Sequence, residues 1–106
     1  MLALPRPPHA DDAPEPEFIF QLFITGATPN STRAVRNCKE ICERYLAGRY
    51  TLHIVDIYQQ PELVREQQIL AVPTLLRMQP LPHRRIIGDL SAREKVLEAL
   101  GLPLLP

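Results

Sequence analysis

From Phe18 to Thr25 the chain reads Phe-Ile-Phe-Gln-Leu-Phe-Ile-Thr, apolar at nearly every position with one polar interruption at Gln21. A run with no alternation between faces fits a central strand covered on both sides. A turn follows at 26–30. Ala34, Val35, Cys38, Ile41, Cys42, Tyr45 and Leu46 then recur at helical spacing, with Arg33, Arg36, Lys39, Glu40, Glu43 and Arg44 mostly on the other side. Asn30 or Ser31 is the expected N-cap, and Gly48 falls where the helix should stop. Residues 50–58 (YTLHIVDIY) form a second predicted strand, which should run parallel to the first through a right-handed crossover. Pro61 opens a short predicted helix over about 62–70. A third strand is predicted at 74–78 and a fourth at 84–87, joined by a loop with Pro80, Leu81 and Pro82, so this pair should be an antiparallel hairpin. Gly88 and Asp89 end it. Ser91-Ala92-Arg93-Glu94 has the S-x-x-E pattern of a capping box, Val96, Leu97 and Leu100 make the inner face of a last helix, and Gly101 is its stop.

The order β-α-β-α-β-β-α is that of an α/β protein with thioredoxin-like topology, a mixed sheet with helices on both faces. The 106 residues suffice for one domain and one core, expected over 18–102. Before it, residues 1–17 hold five prolines and few bulky apolar groups, so they read as a disordered Pro-rich acidic tail. Residues 103–106 form a short C-terminal tail. The formal net charge is zero, but it divides unevenly: −3 over residues 1–17 and +3 over 18–106. A mildly basic body suits an acidic protein surface better than a nucleic acid, which usually demands a stronger basic patch and an aromatic platform. No run approaches the length of a membrane span and the N-terminus has no secretory h-region, so a cytoplasmic protein is expected.

Thioredoxin topology raises the question of redox chemistry. An oxidoreductase of this fold keeps its nucleophilic cysteine at the start of the first helix, where the helix dipole lowers the thiol pKa. Thr28-Pro29-Asn30-Ser31 stands there instead. The only cysteines, Cys38 and Cys42, are four apart, one to two turns further along the apolar face, and read as two small buried residues. No histidine shares that helix, so a metal pair is not expected. His9, His53 and His83 are scattered over tail, strand and loop without catalytic spacing. Gly26-Ala27-Thr28 before a helix suits an anion or, more simply, an ordinary turn. Val72-Pro73-Thr74 has the look of the cis-proline site of thioredoxin folds, although a trans proline opening a strand fits the same residues. Arg77, His83, Arg84 and Arg85 form a cationic cluster around the hairpin, with Arg33 expected near it. Such a cluster protects a sheet edge from aggregation, and its guanidinium groups also suit carboxylates on a partner.

These segments closely resemble the KaiB family of small clock proteins. The resemblance is carried by Gly26-Ala27-Thr28-Pro29-Asn30-Ser31, Val55-Asp56-Ile57, Gln60-Pro61-Glu62-Leu63 and Ile69-Leu70-Ala71-Val72-Pro73-Thr74-Leu75. Most of all it is carried by Arg84-Arg85-Ile86-Ile87-Gly88-Asp89-Leu90-Ser91, continuing through Arg93-Glu94-Lys95-Val96-Leu97. It covers roughly residues 18–100. It implies a non-enzymatic regulator without catalytic residue, cofactor or metal, which binds the N-terminal ATPase ring of a KaiC-like protein and modulates its phosphorylation and ATPase cycle. A KaiA-like protein or a histidine kinase is a further implied partner, and a dimer or tetramer a possible assembly. The family switches between a tetrameric ground-state fold and the thioredoxin-like state that binds the ring. Its binding contacts map onto Arg33, Gln68 (where the family has Lys), Arg77, Arg84 and Arg85, and the edge strand around Thr51 and His53. Fold-switch positions map onto Pro73, Gly88, Asp89, Ala99 and Gly101. Where the family usually continues Val-Leu-x-Gly-Leu-Asp, this chain has Ala99 and Gly101, a helix former and a cap. In a helix Ala is worth about 1 kcal/mol over Gly, so both changes favour the final helix of the thioredoxin-like state. The alternatives carried with this reading are an adaptor or sensor in a histidine kinase pathway and, more remotely, a thiol oxidoreductase.

Overall fold

In the computed structural model, which describes residues 17–102, one four-stranded sheet carries the chain in the order β2-β1-β3-β4. The strands are β1 (Phe18–Ile24), β2 (Tyr50–Asp56), β3 (Thr74–Gln79) and β4 (Arg84–Ile87), and the helices α1 (Pro29–Leu46), α2 (Pro61–Glu66) and α3 (Arg93–Leu100). This is the expected α/β thioredoxin-like order. The two expected tails lie outside the described residues, apart from Glu17. No helix among the described residues is long and apolar enough to cross a membrane.

β1 is central, as its nearly continuous apolar run requires. It pairs parallel with β2 (Phe18 opposite Tyr50, Ile24 opposite Asp56) and antiparallel with β3 (Phe20 opposite Arg77, Phe23 opposite Thr74). The hairpin forms too, with Thr74 opposite Ile87 and Arg77 opposite Arg84. On one face of the sheet, Phe18, Phe20, Leu22 and Leu75 pack with Ala34, Cys38, Ile41, Cys42 and Leu46 of α1 and Val96, Leu97 and Leu100 of α3. The other face is smaller. There Phe23, Val55, Ile69 and Leu76 pack with Leu63 and Val64 of α2.

The local signals were partly different from those expected. The N-cap of α1 is Thr28, two to three residues earlier than Asn30 or Ser31: its Oγ1 accepts from the Ser31 amide at 3.3 Å, and Pro29 takes the first turn, where a missing N–H costs nothing. Ser31 is buried instead, its Oγ accepting from the Thr25 amide at 3.0 Å. α2 ends at Glu66 rather than near Leu70, because Gln68 turns into the left-handed region (φ 54°). The capping box of α3 does not form. Ala92 is the N-cap and contributes no side-chain bond, while the Ser91 amide donates to Asp89 Oδ1 at 3.0 Å. Gly101 closes α3 as foreseen, left-handed at φ 74°. The Val72–Pro73 peptide is cis, as are Gln79–Pro80 and Leu81–Pro82.

Candidate partner-binding surface

β4 is an edge strand, and alternation along it sends Arg84 and Arg85 to opposite faces of the sheet. Both are exposed. On the α3 side, His83, Arg84, Arg85, Lys95, Glu98 and Ala99 line an open groove of about 500 Å³. On this face the charges of Arg84 and Lys95 stand against that of Glu98, whereas the Arg85 guanidinium is engaged on the α2 side. On the α2 side, the Arg85 guanidinium is held flat by two backbone carbonyls: Nη1 donates to Gln68 at 3.0 Å and Nη2 to Gln67 at 2.7 Å. These carbonyls are left over where α2 stops, so Arg85 both closes that helix end and presents a fixed positive charge. Gln68 joins the site through its main chain, with its side chain exposed.

Arg77 stands apart from its cluster mates. It is only 6% exposed and shares the inward face of β3 with Leu75. Its Nη1 donates to the last carbonyl of α3, Leu100 O, at 2.7 Å, and its Nη2 to Pro82 O in the hairpin loop, also at 2.7 Å. Its Nε has no partner among the described residues. Burial, and then the neighbouring charge of Arg84, lowers its pKa. A partner cannot reach this guanidinium, so its role here is internal: it ties α3 and the β3–β4 loop to the sheet.

Arg33 does not join the hairpin cluster either. Its Nε meets Asp89 Oδ2 at 3.1 Å, and its Nη2 donates to Asn30 Oδ1. That places it beyond Ile87, at the other end of β4. The Asp89 carboxyl is held below the usual carboxylate range, first by hydrogen bonds from Ser91 and then by Arg33. Asn37 on α1 holds the same turn, donating to Asp89 O at 2.8 Å. Thr51 and His53 lie on β2, the opposite edge of the sheet, separated from β4 by β1 and β3. The expected contacts therefore form two surfaces, a β4 edge with Arg84, Arg85 and Gln68 and a β2 edge with Thr51 and His53, with Arg33 at one end and Arg77 inside. Sequence reasoning left Lys95 and Asn37 out of this region. Their placement depends on how α3 and α1 cross the strand ends, which helical spacing does not encode.

The residues assigned to fold switching gather where the C-terminal half is fastened. Pro73 O accepts from the Gly88 amide at 2.9 Å, and Gly88 adopts φ 118°, a value that suits only glycine. Ala99 is half-buried on α3 and Gly101 caps that helix. Arg93 on α3 reaches Glu40 on α1 at 3.3 Å.

Cys38 and Cys42 are both free and buried. The Cys42 thiol is pushed up by its contact with Cys38 and by burial, the opposite of the activation that a nucleophilic thiol needs. Among the described residues no group of His, Cys, Asp and Glu could hold a metal ion.

A family model described as the KaiB domain matches residues 21–102. A circadian clock oscillator protein KaiB of Synechococcus elongatus is 50% identical over 93 residues, 88% of this chain and 89% of its own. One from Prochlorococcus marinus is 52% identical over 83% of this chain and 80% of its own. Among solved structures, the N-terminal domain of Synechococcus elongatus SasA superposes with a TM-score of 0.67 at 22% identity, covering 95% of this chain and 93% of that one. Mitochondrial thioredoxin 3 of Saccharomyces cerevisiae gives 0.63 at 16% identity, with 79% of each chain covered. These two likenesses concern the fold.

Proposed function

The chain belongs to the KaiB family, and from that membership we propose that it is a non-catalytic clock regulator that docks on the N-terminal ATPase ring of a KaiC-like protein and modulates its cycle. The observation that carries the reading is the pair Arg84 and Arg85, exposed on both faces of one edge strand inside the region the family model matches. Arg85 supports it further, since its guanidinium is held in place before any partner arrives, which lowers the entropy lost on docking. In this reading Arg84, Arg85, Lys95 and the backbone at Gln68 meet carboxylates of the ring. Arg33 borders the contact, and Arg77 serves it only by holding α3. The β2 edge, with Thr51 and His53, offers main-chain groups for strand addition by a second partner. The raised Cys42 thiol and the absence of a cysteine at the start of α1 speak against thiol exchange.

The test is direct. Mixed with a KaiC-type ring and ATP, the protein should elute with the ring as one defined assembly, and the double reversal R84E/K95E, which spares the Arg85 bonds to Gln67 and Gln68, should abolish co-elution while leaving far-UV circular dichroism unchanged. Unaltered co-elution of that variant, or no assembly with any KaiC-type ring, overturns the reading.

A further inference from the structure

The two edges of the sheet are not alike. β4 is four residues long and carries two arginines, features that keep the edge of one chain from pairing with that of another. β2 is seven residues long, Tyr-Thr-Leu-His-Ile-Val-Asp, without lysine, arginine or proline, and its register with β1 runs unbroken from Tyr50 to Asp56. Among the described residues no strand lies beyond it. In a parallel ladder only alternate residues bond to the neighbouring strand. Phe18 N donates to Arg49 O at 2.8 Å and Ile57 N to Ile24 O at 3.0 Å. Thr51, His53 and Val55 therefore face β1, while Tyr50, Leu52 and Ile54 turn their N–H and C=O groups away from the sheet. Asp56 turns its N–H the same way, its carbonyl being taken by the Gln59 and Gln60 amides. Ile54 adds an apolar side chain that is 39% exposed.

We propose that this open edge of β2 docks a second copy of the chain, joined antiparallel about a two-fold axis through His53. What selects a copy is self-complementarity. Centred on His53, the pairing overlaps the whole strand and sets Leu52 opposite Ile54 of the second copy, where the two exchange both N–H···O bonds. At each end the Asp56 N–H meets the Tyr50 carbonyl. Leu52 packs against the core under α1 and Ile54 shares its face, so an apolar cross-strand pair forms on both sides of the axis. On the other face Thr51 meets Val55, and His53 meets its own copy. A slip by one residue sets the outward groups against residues already bonded to β1 and reverses the faces. The same patch serves both copies, so the assembly closes at two. A formal net charge of zero opposes it with no long-range repulsion. The pairing does not rest on the reading given under Proposed function; a strand from another partner competes for the same groups.

Two measurements test it. In sedimentation equilibrium of the full chain over roughly 10 µM to 1 mM, where a small interface is read, the average mass should rise toward twice that of the monomer. Ile54→Lys sets like charges diagonally across the axis and should hold the mass at the monomer value, with far-UV circular dichroism unchanged. Single cysteines read the register. In H53C the two introduced thiols face each other across a non-hydrogen-bonded pair, with Cα atoms about 4.5 Å apart, which suits a disulfide. Diamide, taking up the two electrons and two protons, should link this variant into a covalent dimer. In T51C the thiols lie four residues apart along the strands, about 14 Å, and no link should form. The native Cys38 and Cys42 are buried and take no part. A mass that stays at the monomer value up to about 1 mM overturns the pairing, and so does equal cross-linking of H53C and T51C. Neither measurement involves a KaiC-type ring, so failure here leaves the proposed function standing.

Discussion

The two halves of the chain are held by different forces. β1, α1 and β2 are joined by shape and burial: Phe20, Leu22, Ala34 and Leu46 have no exposure at all, and α1 lays one continuous apolar face on the sheet. The half from α2 onward buries less and leans on side chains that reach main-chain carbonyls. Arg77 holds Leu100 and Pro82, Arg85 holds Gln67 and Gln68, Asn37 holds Asp89, and the Gly88 amide holds Pro73. Apolar packing spreads its contribution over many contacts, so no polar partner is stranded when one is lost. A carbonyl clasped by one guanidinium depends on that one residue. The second half is thus the part that single substitutions can release without dissolving the first.

Removing a central side chain sets the scale. Leu22→Ala should cost about 2–5 kcal/mol and lower the denaturation midpoint as one transition, because β1 supports both halves. Arg77→Gln should cost about 2–3 kcal/mol, since it strands buried carbonyls, and should do so unevenly. Amide exchange should quicken across α3 and the 80–83 loop while α1 and β1 stay protected. Uniform acceleration would mean that the halves are not separable. Gly101→Ala should cost about 1 kcal/mol, again confined to α3: space for a methyl exists, with Arg77 Nη1 at 3.7 Å, but the left-handed φ of 74° does not suit alanine.

The smallest effect belongs to Arg33→Ala. It should raise the Asp89 carboxyl only partway back to the ordinary range, because Ser91 supplies the larger share of the depression. The sign follows from the lowered folded-state pKa. Asp89 contributes stability above the ordinary carboxylate pKa and loses it as pH falls through the depressed value. A carbon-detected NMR titration of Asp89 in both proteins checks this. An unchanged midpoint in the variant would remove Arg33 from the hairpin end.

The same division explains what was legible in the sequence. β1 and α1 could be read because apolar burial marks the residues themselves, as a nearly continuous run in a strand covered on both faces and as a 3.6-residue period in a helix, and the hairpin followed from its short loop. The position of Arg77 was legible in principle. In Thr-Leu-Leu-Arg-Met-Gln it alternates with Leu75, and that face of β3 turns inward. Its charge masked the pattern. The end of α2 was not legible, because it depends on Gln68 turning left-handed and on Arg85, seventeen residues away, taking the freed carbonyl. The capping box at Ser91 failed for a related reason: Asp89 had already engaged the Ser91 amide. Of the contact residues, the exposure of Arg84 and Arg85 follows from strand alternation at an edge. The distance between β4 and the Thr51/His53 edge follows only from the strand order.

The bond from Arg77 to Leu100 O has a further electrostatic meaning. A helix ends with unsatisfied carbonyls that carry roughly half a negative charge, which water, a C-cap or a basic side chain can meet. α3 ends on a cation buried in the protein that carries it. The helix therefore fits its place only while its last turn stays seated on β3; once it lifts away, water takes over its carbonyls but the Arg77 guanidinium is left buried without that acceptor, so α3 is held as a docked unit rather than fraying turn by turn.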